Sequence, residues 1–136
     1  MSFDLRDHTA DVAVESTGET IGDVFGATAD GLAAAMCEDV PSNGDRFELS
    51  VTAESRESVL FDYLDELIYE RDVRGVLPVD NRATVDHTGE EWSVEASARG
   101  VPLDAITARE VKAVTYSEMA LEATDDGWHA YVVFDV

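Results

Sequence analysis

The stretch that decides the fold is Ser55–Arg74, SRESVLFDYLDELIYERDVR, which is followed by Gly75. Its apolar residues recur every three or four positions, which places them along one stripe of an amphipathic α-helix. Gly75 ends the helix, because glycine adopts the left-handed backbone conformation without steric penalty. The acidic residues opposite the stripe indicate a solvated face: Asp62, Asp65, Glu66 and Glu70.

On both sides of this helix the pattern is mostly that of strands. Toward the N-terminus we predict a strand over 11–16, a helix from the cap Thr20 to Cys37, and a strand over 47–53. Toward the C-terminus we predict strands over 76–87, 91–98, 110–123 and 128–135, with a loop and one helical turn over 100–109. Turn signals at 87–90 and 125–127 join the late strands as hairpins. The order predicts one two-layer α+β domain of mostly antiparallel strands over residues 1–136.

The charge of the chain is extreme, with 30 acidic and 9 basic residues and a net charge of −21. Such a surface repels polyanions, because nucleic-acid binding draws its affinity from neutralised phosphates. Self-repulsion of this kind is relieved at molar salt, where the Debye length falls to about 3 Å. The composition therefore predicts a halophilic protein. No signal peptide and no apolar run of about 20 residues is visible, so we expect a soluble cytoplasmic protein.

The pentad Asp7-His8-Thr9-Ala10-Asp11 holds two carboxylates and an imidazole just before the first predicted strand. Two interpretations of it stay open. Asp and Thr side chains favour turns, because they bond to nearby backbone groups. Alternatively, one of the carboxylates binds a hard cation from the rigid base that a strand provides.

Lys112 is the one lysine among the nine basic residues, and arginine occupies the other eight positions. A compact, mobile ammonium differs from the planar fork of a guanidinium, so the retained lysine indicates a functional requirement at this position. The alternative is a chance survivor that covers apolar surface with its aliphatic stem.

Three motifs together resemble the archease family: Asp7-His8-Thr9-Ala10-Asp11, Leu60–Tyr69 (LFDYLDELIY) and Lys112-Ala113-Val114-Thr115-Tyr116. The C-terminal Phe134-Asp135-Val136 is also similar to that family's acidic, apolar end, so the resemblance spans the chain. It departs at Ser117, where the family often has histidine. The resemblance implies a compact α+β sandwich with two main helices.

The resemblance also implies a function. Archease proteins are non-catalytic activators of the GTP-dependent RtcB-type RNA ligase of tRNA splicing, and they promote its guanylylation and turnover. The family's metal site falls on Asp11, Asp135 and Val136, and its functional lysine falls on Lys112. An all-oxygen ligand set favours Ca²⁺, with Mg²⁺ or Mn²⁺ as alternatives. The expected direct partner is the ligase protein, with RNA contacted only through it.

Two other functions stay open at the level of sequence. One is a metal-dependent phosphohydrolase that uses Asp7, His8, Asp11 and Asp135 around one or two cations. The other is an acidic chaperone or scaffold without a site. The chain carries no glycine-rich phosphate loop and no cysteine cluster, and its single Cys37 excludes an intramolecular disulfide.

Overall fold

The computed structural model describes the backbone of residues 2–7 and 11–136, and the side chains of residues 2, 3 and 11–136. The described chain forms seven strands and two α-helices. Their bounds in chain order are β1 Ser2–Asp7, β2 Asp11–Gly18, α1 Ile21–Met36, β3 Asp45–Ala53, α2 Arg56–Arg74, β4 Val76–Thr88, β5 Glu91–Pro102, β6 Ala113–Thr124 and β7 Gly127–Asp135.

The strands form two antiparallel sheets, one of four strands in the order β1-β2-β7-β6 and one of three in the order β3-β5-β4. Both helices pack against strands of both sheets. A single apolar cluster of buried side chains therefore draws on all of these elements, with Phe25 of α1 and Tyr63 of α2 among its largest members. The predicted α+β class, the two main helices and the antiparallel strands are confirmed. Neither helix in the described part of the chain combines the length and hydrophobicity that crossing a membrane requires.

Both helices begin at polar caps that satisfy their first free N–H groups. Thr20 and Asp23 form a reciprocal capping box at α1, and Ser55 and Ser58 form one at α2. Helix α2 ends at Gly75, whose φ of 65° is left-handed, as the sequence predicts. In α1, a Cβ added to Gly22 would stand 2.5 Å from the carbonyl oxygen of Ala83, so glycine lets this helix approach β4 closely.

The structure corrects four predictions. Residues 2–7 form the edge strand β1, which was not predicted from the sequence; its backbone pairs with β2 from Ser2–Thr17 to Asp7–Val12. Of the predicted polar loop over 7–11, Asp7 and Asp11 are strand residues, and residues 8–10 lie outside the described residues. Strand β5 continues to Pro102, and the predicted helical turn is a short 3₁₀ turn over Leu103–Ala105.

The other two corrections concern β6 and Glu70. Strand β6 begins at Ala113 and not at 110, because its ladder with β7 begins at the Ala113–Asp135 pair, and the carbonyl of Val111 accepts a bond from the Arg71 side chain instead. Glu70 is buried on α2, where its carboxylate accepts a bond from Arg74 Nε at 3.3 Å. It is therefore not part of the solvated face.

Asp30 on α1 supplies a prediction about pH. Its Oδ1 accepts bonds from the main-chain N–H of Asn81 at 2.9 Å and from Asn81 Nδ2 at 3.0 Å. Burial nevertheless raises the pKa of the Asp30 carboxyl above its ordinary value of 3.8, against the opposing effect of the Asn81 bonds. The folded state then binds the proton more readily than the unfolded state. The free energy of unfolding therefore decreases as pH rises from 3.8 through the raised pKa.

Asp30→Asn keeps an acceptor oxygen for Asn81 and removes the partly desolvated charge. We expect the free energy of unfolding of the variant, relative to wild type, to increase across this pH interval and to level off above it. Urea unfolding of both proteins at a series of pH values measures the difference. A difference that is constant with pH would contradict the assignment.

Candidate functional site

The register of the four-stranded sheet brings the two ends of the chain together. Asp11 is the first residue of β2 and Asp135 the last of β7, and the two lie directly opposite each other in the antiparallel ladder. Directly opposed residues in such a ladder have Cα atoms about 4.5–5.5 Å apart. The two carboxylate-bearing residues that are 124 positions apart in sequence are therefore cross-strand neighbours.

Lys112 lies next to Asp135 on the other edge of β7, where β6 begins. Ala113 of β6 pairs with Asp135. The main-chain N–H of Lys112 donates to the Asp135 carbonyl oxygen at 2.8 Å. Asp135 is thus held between the first residue of β2 and the segment that begins β6, and Val136 follows it directly. The structure brings together all four residues that the sequence reading selected: Asp11, Lys112, Asp135 and Val136.

The rung of the sheet behind this site is apolar. Val12, Phe134 and Val114 pair across the three strands, and each of their side chains is at least 94% buried, with exposed fractions of 6%, 0% and 5%. The buried apolar rung lies next to the rung that carries Asp11 and Asp135, and it gives these functional groups a rigid base. The groups themselves are accessible: Asp11 is half-buried, whereas Lys112, Asp135 and Val136 are exposed.

The donor set fits a hard divalent cation. Carboxylate oxygens of Asp11 and Asp135 and a main-chain or terminal oxygen of Val136 are the ligand types that Ca²⁺ and Mg²⁺ prefer. Like charges placed directly opposite in a sheet repel each other, and a cation between them would remove that repulsion. Among the described residues there is no group of three or more His, Cys, Asp or Glu side chains that could hold a metal. A soft-metal site of thiolates and imidazoles is thus not formed in that part of the molecule.

Asp7, which belongs to the ligand set of the phosphohydrolase hypothesis, lies at the same end of the sheet. Its backbone pairs with Val12, the neighbour of Asp11. The Asp7 side chain and the whole of His8 lie outside the described residues. The other two histidines are occupied elsewhere: His129 Nε2 lies 3.1 Å from Glu15 Oε2, and the ring of His87 stacks on Trp92 with centroids 4.0 Å apart. His129 therefore has a structural partner in the sheet.

Arg71 is a residue that sequence reasoning missed. Its side chain on α2 is buried, and its Nη1 donates to the main-chain carbonyl of Val111 at 2.9 Å. Asp72 balances its charge at 3.0 Å. The bond from Arg71 holds the backbone of Val111 in place, and the bond from Lys112 N–H to the Asp135 carbonyl holds the backbone of Lys112. The sequence held a signal, because Arg71 stands seven positions after Leu64 and so falls on the apolar stripe, which favours burial of its side chain.

Tyr116 and Phe61 form the second feature that the sequence did not reveal. Their rings stack with centroids 4.2 Å apart and an interplanar angle of 9°. Tyr116 is nevertheless 52% exposed. Partial burial raises the pKa of the Tyr116 hydroxyl, and the negative charge of Asp62 adds to the effect. The ring thus stands at the surface beside an acid of α2.

Ser117, where the sequence departs from the family pattern, lies past the regular part of β6. The β6–β7 register shifts between Thr115 and Ala120, and Ser117 N–H bonds to Thr115 Oγ1 at 3.2 Å. Position 117 is five residues beyond Lys112 in the chain. Ser117 therefore lies outside the regular β6–β7 pairing that holds Asp135 beside the start of β6.

The chain is similar to known proteins over almost its whole length. The archease protein family (MTH1598/TM1083) matches residues 3–136. Protein archease of Thermococcus gammatolerans is 35% identical over 136 residues, which cover 96% of this chain and 95% of the relative. Protein archease of Methanosarcina barkeri is 33% identical over 141 residues, which cover 98% and 95% of the two chains.

Solved structures share the fold. The solution structure of Methanobacterium thermoautotrophicum protein 1598 has a TM-score of 0.84 at 26% identity and covers 99% of both chains. The crystal structure of a Thermotoga maritima protein, described as an archease and possible chaperone, has a TM-score of 0.64 at 24% identity, over 96% of this chain and 94% of that one. With sequence, fold and full-length relatives in agreement, the chain belongs to the archease family.

Proposed function

We propose that this protein activates a GTP-dependent RNA ligase of the RtcB type in tRNA splicing, by promoting ligase guanylylation and turnover through a bound divalent cation. The observation that carries the proposal is the register of the four-stranded sheet. It sets Asp11 opposite Asp135 and ties Lys112 to Asp135 through a main-chain hydrogen bond. These are the residues on which the family's metal site and functional lysine fall.

The chemistry of the side chains indicates which residues would hold the cation. Asp11 and Asp135 would hold the cation from two neighbouring strands, with an oxygen of Val136 beside them. A set this small leaves coordination positions for water or for a phosphate oxygen of the partner. When bound, the cation supplies positive charge that stabilises phosphate oxygens during nucleotidyl transfer.

Lys112 would place a second positive charge at the same edge. Its side chain is exposed, and it forms no ion pair with the described carboxylates. An ammonium in this position is available to a phosphate or carboxylate of the ligase. The buried Arg71 holds the neighbouring Val111 in place, so the lysine is presented from a fixed backbone.

The charge of the molecule supports a protein as the direct partner. With a net charge of −21, the surface opposes contact with RNA phosphates. RNA would therefore be held by the ligase, and this protein would act on the ligase and not as an enzyme itself.

Multiple-turnover ligation by the purified ligase, with and without this protein, tests the proposal. We expect more product per ligase in its presence, with the increase abolished by a metal chelator. Equal turnover in the two reactions would contradict the proposal. Metal-dependent phosphate release by this protein alone would favour a phosphohydrolase, and suppression of ligase aggregation without a change in specific turnover would favour a chaperone.

The position of Val136 gives a separate prediction. Val136 directly follows Asp135, the last residue of β7. If a carboxylate at Val136 is a ligand, extending the chain beyond it with a short glycine-serine segment should weaken cation binding and activation, because the terminal charge moves away. Calorimetric titration with Ca²⁺ measures the affinity, and an identical extension at the N-terminus is the control. Full affinity in the C-terminal extension would exclude the terminal carboxylate as a ligand.

A further inference from the structure

Exposed apolar side chains are concentrated on one side of the molecule. Among the described residues, five large apolar side chains are clearly exposed, and three of them stand on α2 and β6: Tyr69 at 57%, Val73 at 61% and Tyr116 at 52%. Tyr69 and Val73 are one helical turn apart and therefore adjacent on the outer surface of α2. On a surface this rich in charge, clustered apolar side chains need an explanation.

The start of β6 runs alongside α2 in the opposite direction. Val111 bonds to Arg71 near the end of the helix, and Tyr116 stacks on Phe61 near its beginning. Five residues of extended chain cover about 16 Å and ten residues of helix about 15 Å, so the two contacts are consistent with side-by-side packing. Lys112 lies between these contacts along the chain. The apolar cluster therefore borders the candidate site.

The apolar residues are surrounded by acids. Helical spacing puts Asp65 and Glu66 one turn before Tyr69. Partial burial, together with the neighbouring charges of Glu70 and Asp65, raises the pKa of the Glu66 carboxyl. Asp62 stands close enough to Tyr116 to affect its titration. The nearby arginines do not offset these acids, because Arg71 pairs with Asp72 and Arg74 with Glu70.

We define the α2–β6 face by six residues: Asp62, Asp65, Glu66, Tyr69, Val73 and Tyr116. Apolar anchors inside an acidic rim fit a protein surface that is basic and carries an apolar or guanidinium group at its centre. Arginine suits the two exposed tyrosines, because a guanidinium stacks on an aromatic face and also pairs with carboxylates. A nucleic acid does not fit, since its phosphates would meet the acidic rim.

We infer that the α2–β6 face is the surface by which this protein docks on a basic patch of its ligase partner, next to the Asp11–Asp135–Lys112 site. The inference rests on the proposed function for the identity of the partner. Three features of the α2–β6 face support it: its apolar side chains are exposed, acidic residues surround them, and the face adjoins the candidate site. Docking here would bring Lys112 and Asp135 to the ligase along the edge that β6 and β7 share.

The test is a binding titration between the purified ligase and variants of this protein at one fixed salt concentration. The double variant Tyr69→Ser/Val73→Ser should bind the ligase at least about tenfold more weakly, as expected for loss of central anchors. Asp65→Asn/Glu66→Gln should also weaken binding and should reduce its dependence on salt. The matched control is Val40→Ser, an exposed apolar residue (38%) between α1 and β3, which should bind as wild type does.

Two further measurements make the outcomes distinct. Ca²⁺ affinity should be unchanged in the double variant, because neither substituted residue is in the candidate metal site. If wild type binds and activates the ligase and the double variant binds equally well, the docking surface is wrong while the proposed function stands. If wild type itself neither binds nor activates the ligase, the function and the docking surface both fail. A wild-type dimer in sedimentation that Tyr69→Ser/Val73→Ser converts to monomer would assign the face to a second copy and would overturn the inference.

Discussion

Asp11→Ala is expected to reduce ligase activation to the level of the ligase alone while the protein stays folded. The side chain is half-buried at the first position of β2, opposite Asp135. Removing one of the two proposed carboxylate ligands should cost most of the cation affinity. Without metal, the free energy of unfolding should be unchanged or higher by about 0.2–1 kcal/mol, because a pair of like charges directly opposite each other is relieved.

Activation assays and urea unfolding of the same preparation measure both effects. Asp86→Ala, which changes an exposed strand aspartate on β4 of the other sheet, is the control and should activate fully. Unfolding of metal-free Asp11→Ala would make Asp11 a structural turn residue, and full activation by a folded variant would remove it from the site.

Lys112→Arg should lose activation almost as completely as Lys112→Ala. A guanidinium is wider than an ammonium, and its fork suits a planar partner, so it should not reproduce a point contact with one phosphate or carboxylate oxygen. Stability should change by no more than about 0.5 kcal/mol, because the side chain is exposed and its backbone bond to Asp135 is retained in both variants.

Ligase turnover at matched folded concentration measures this effect. Arg82→Lys is the control for the reverse exchange at a highly exposed position of β4, where side-chain exposure is 71%, and it should have no effect. A fully active Lys112→Arg would show that this lysine covers apolar surface and was retained by chance.

The helices and most strands could be predicted from the sequence, because their signals are local. The stripe that includes Leu60, Leu64 and Leu67 marks α2, and Gly75 marks its end, so a window of some twenty residues contains the needed information. The late strands were found for the same reason, since alternation and turn residues act over short distances. Strand β1 was missed because it is a short edge strand with three charged residues in six, and pairing with β2 supplies what its own pattern lacks.

The site was predictable only in part. Lys112 stood out by composition, and Asp11 by its place before a strand, but no local pattern connects Asp11 with Asp135. Their proximity depends on β7 pairing with β2, a contact between opposite ends of the chain. The docking face was hidden for a related reason: Tyr116 follows the regular part of a strand, and its exposure follows from how β6 packs along α2.

The central claim is that a cation held by Asp11 and Asp135 is what stimulates the ligase. Single-turnover guanylylation of the ligase with GTP, at a fixed Ca²⁺ or Mn²⁺ concentration, tests it most directly. We expect wild type to accelerate formation of the ligase–guanylate, and Asp11→Ala and Asp135→Ala to give the rate of the ligase alone. Equal acceleration by wild type and by both folded variants would contradict the claim.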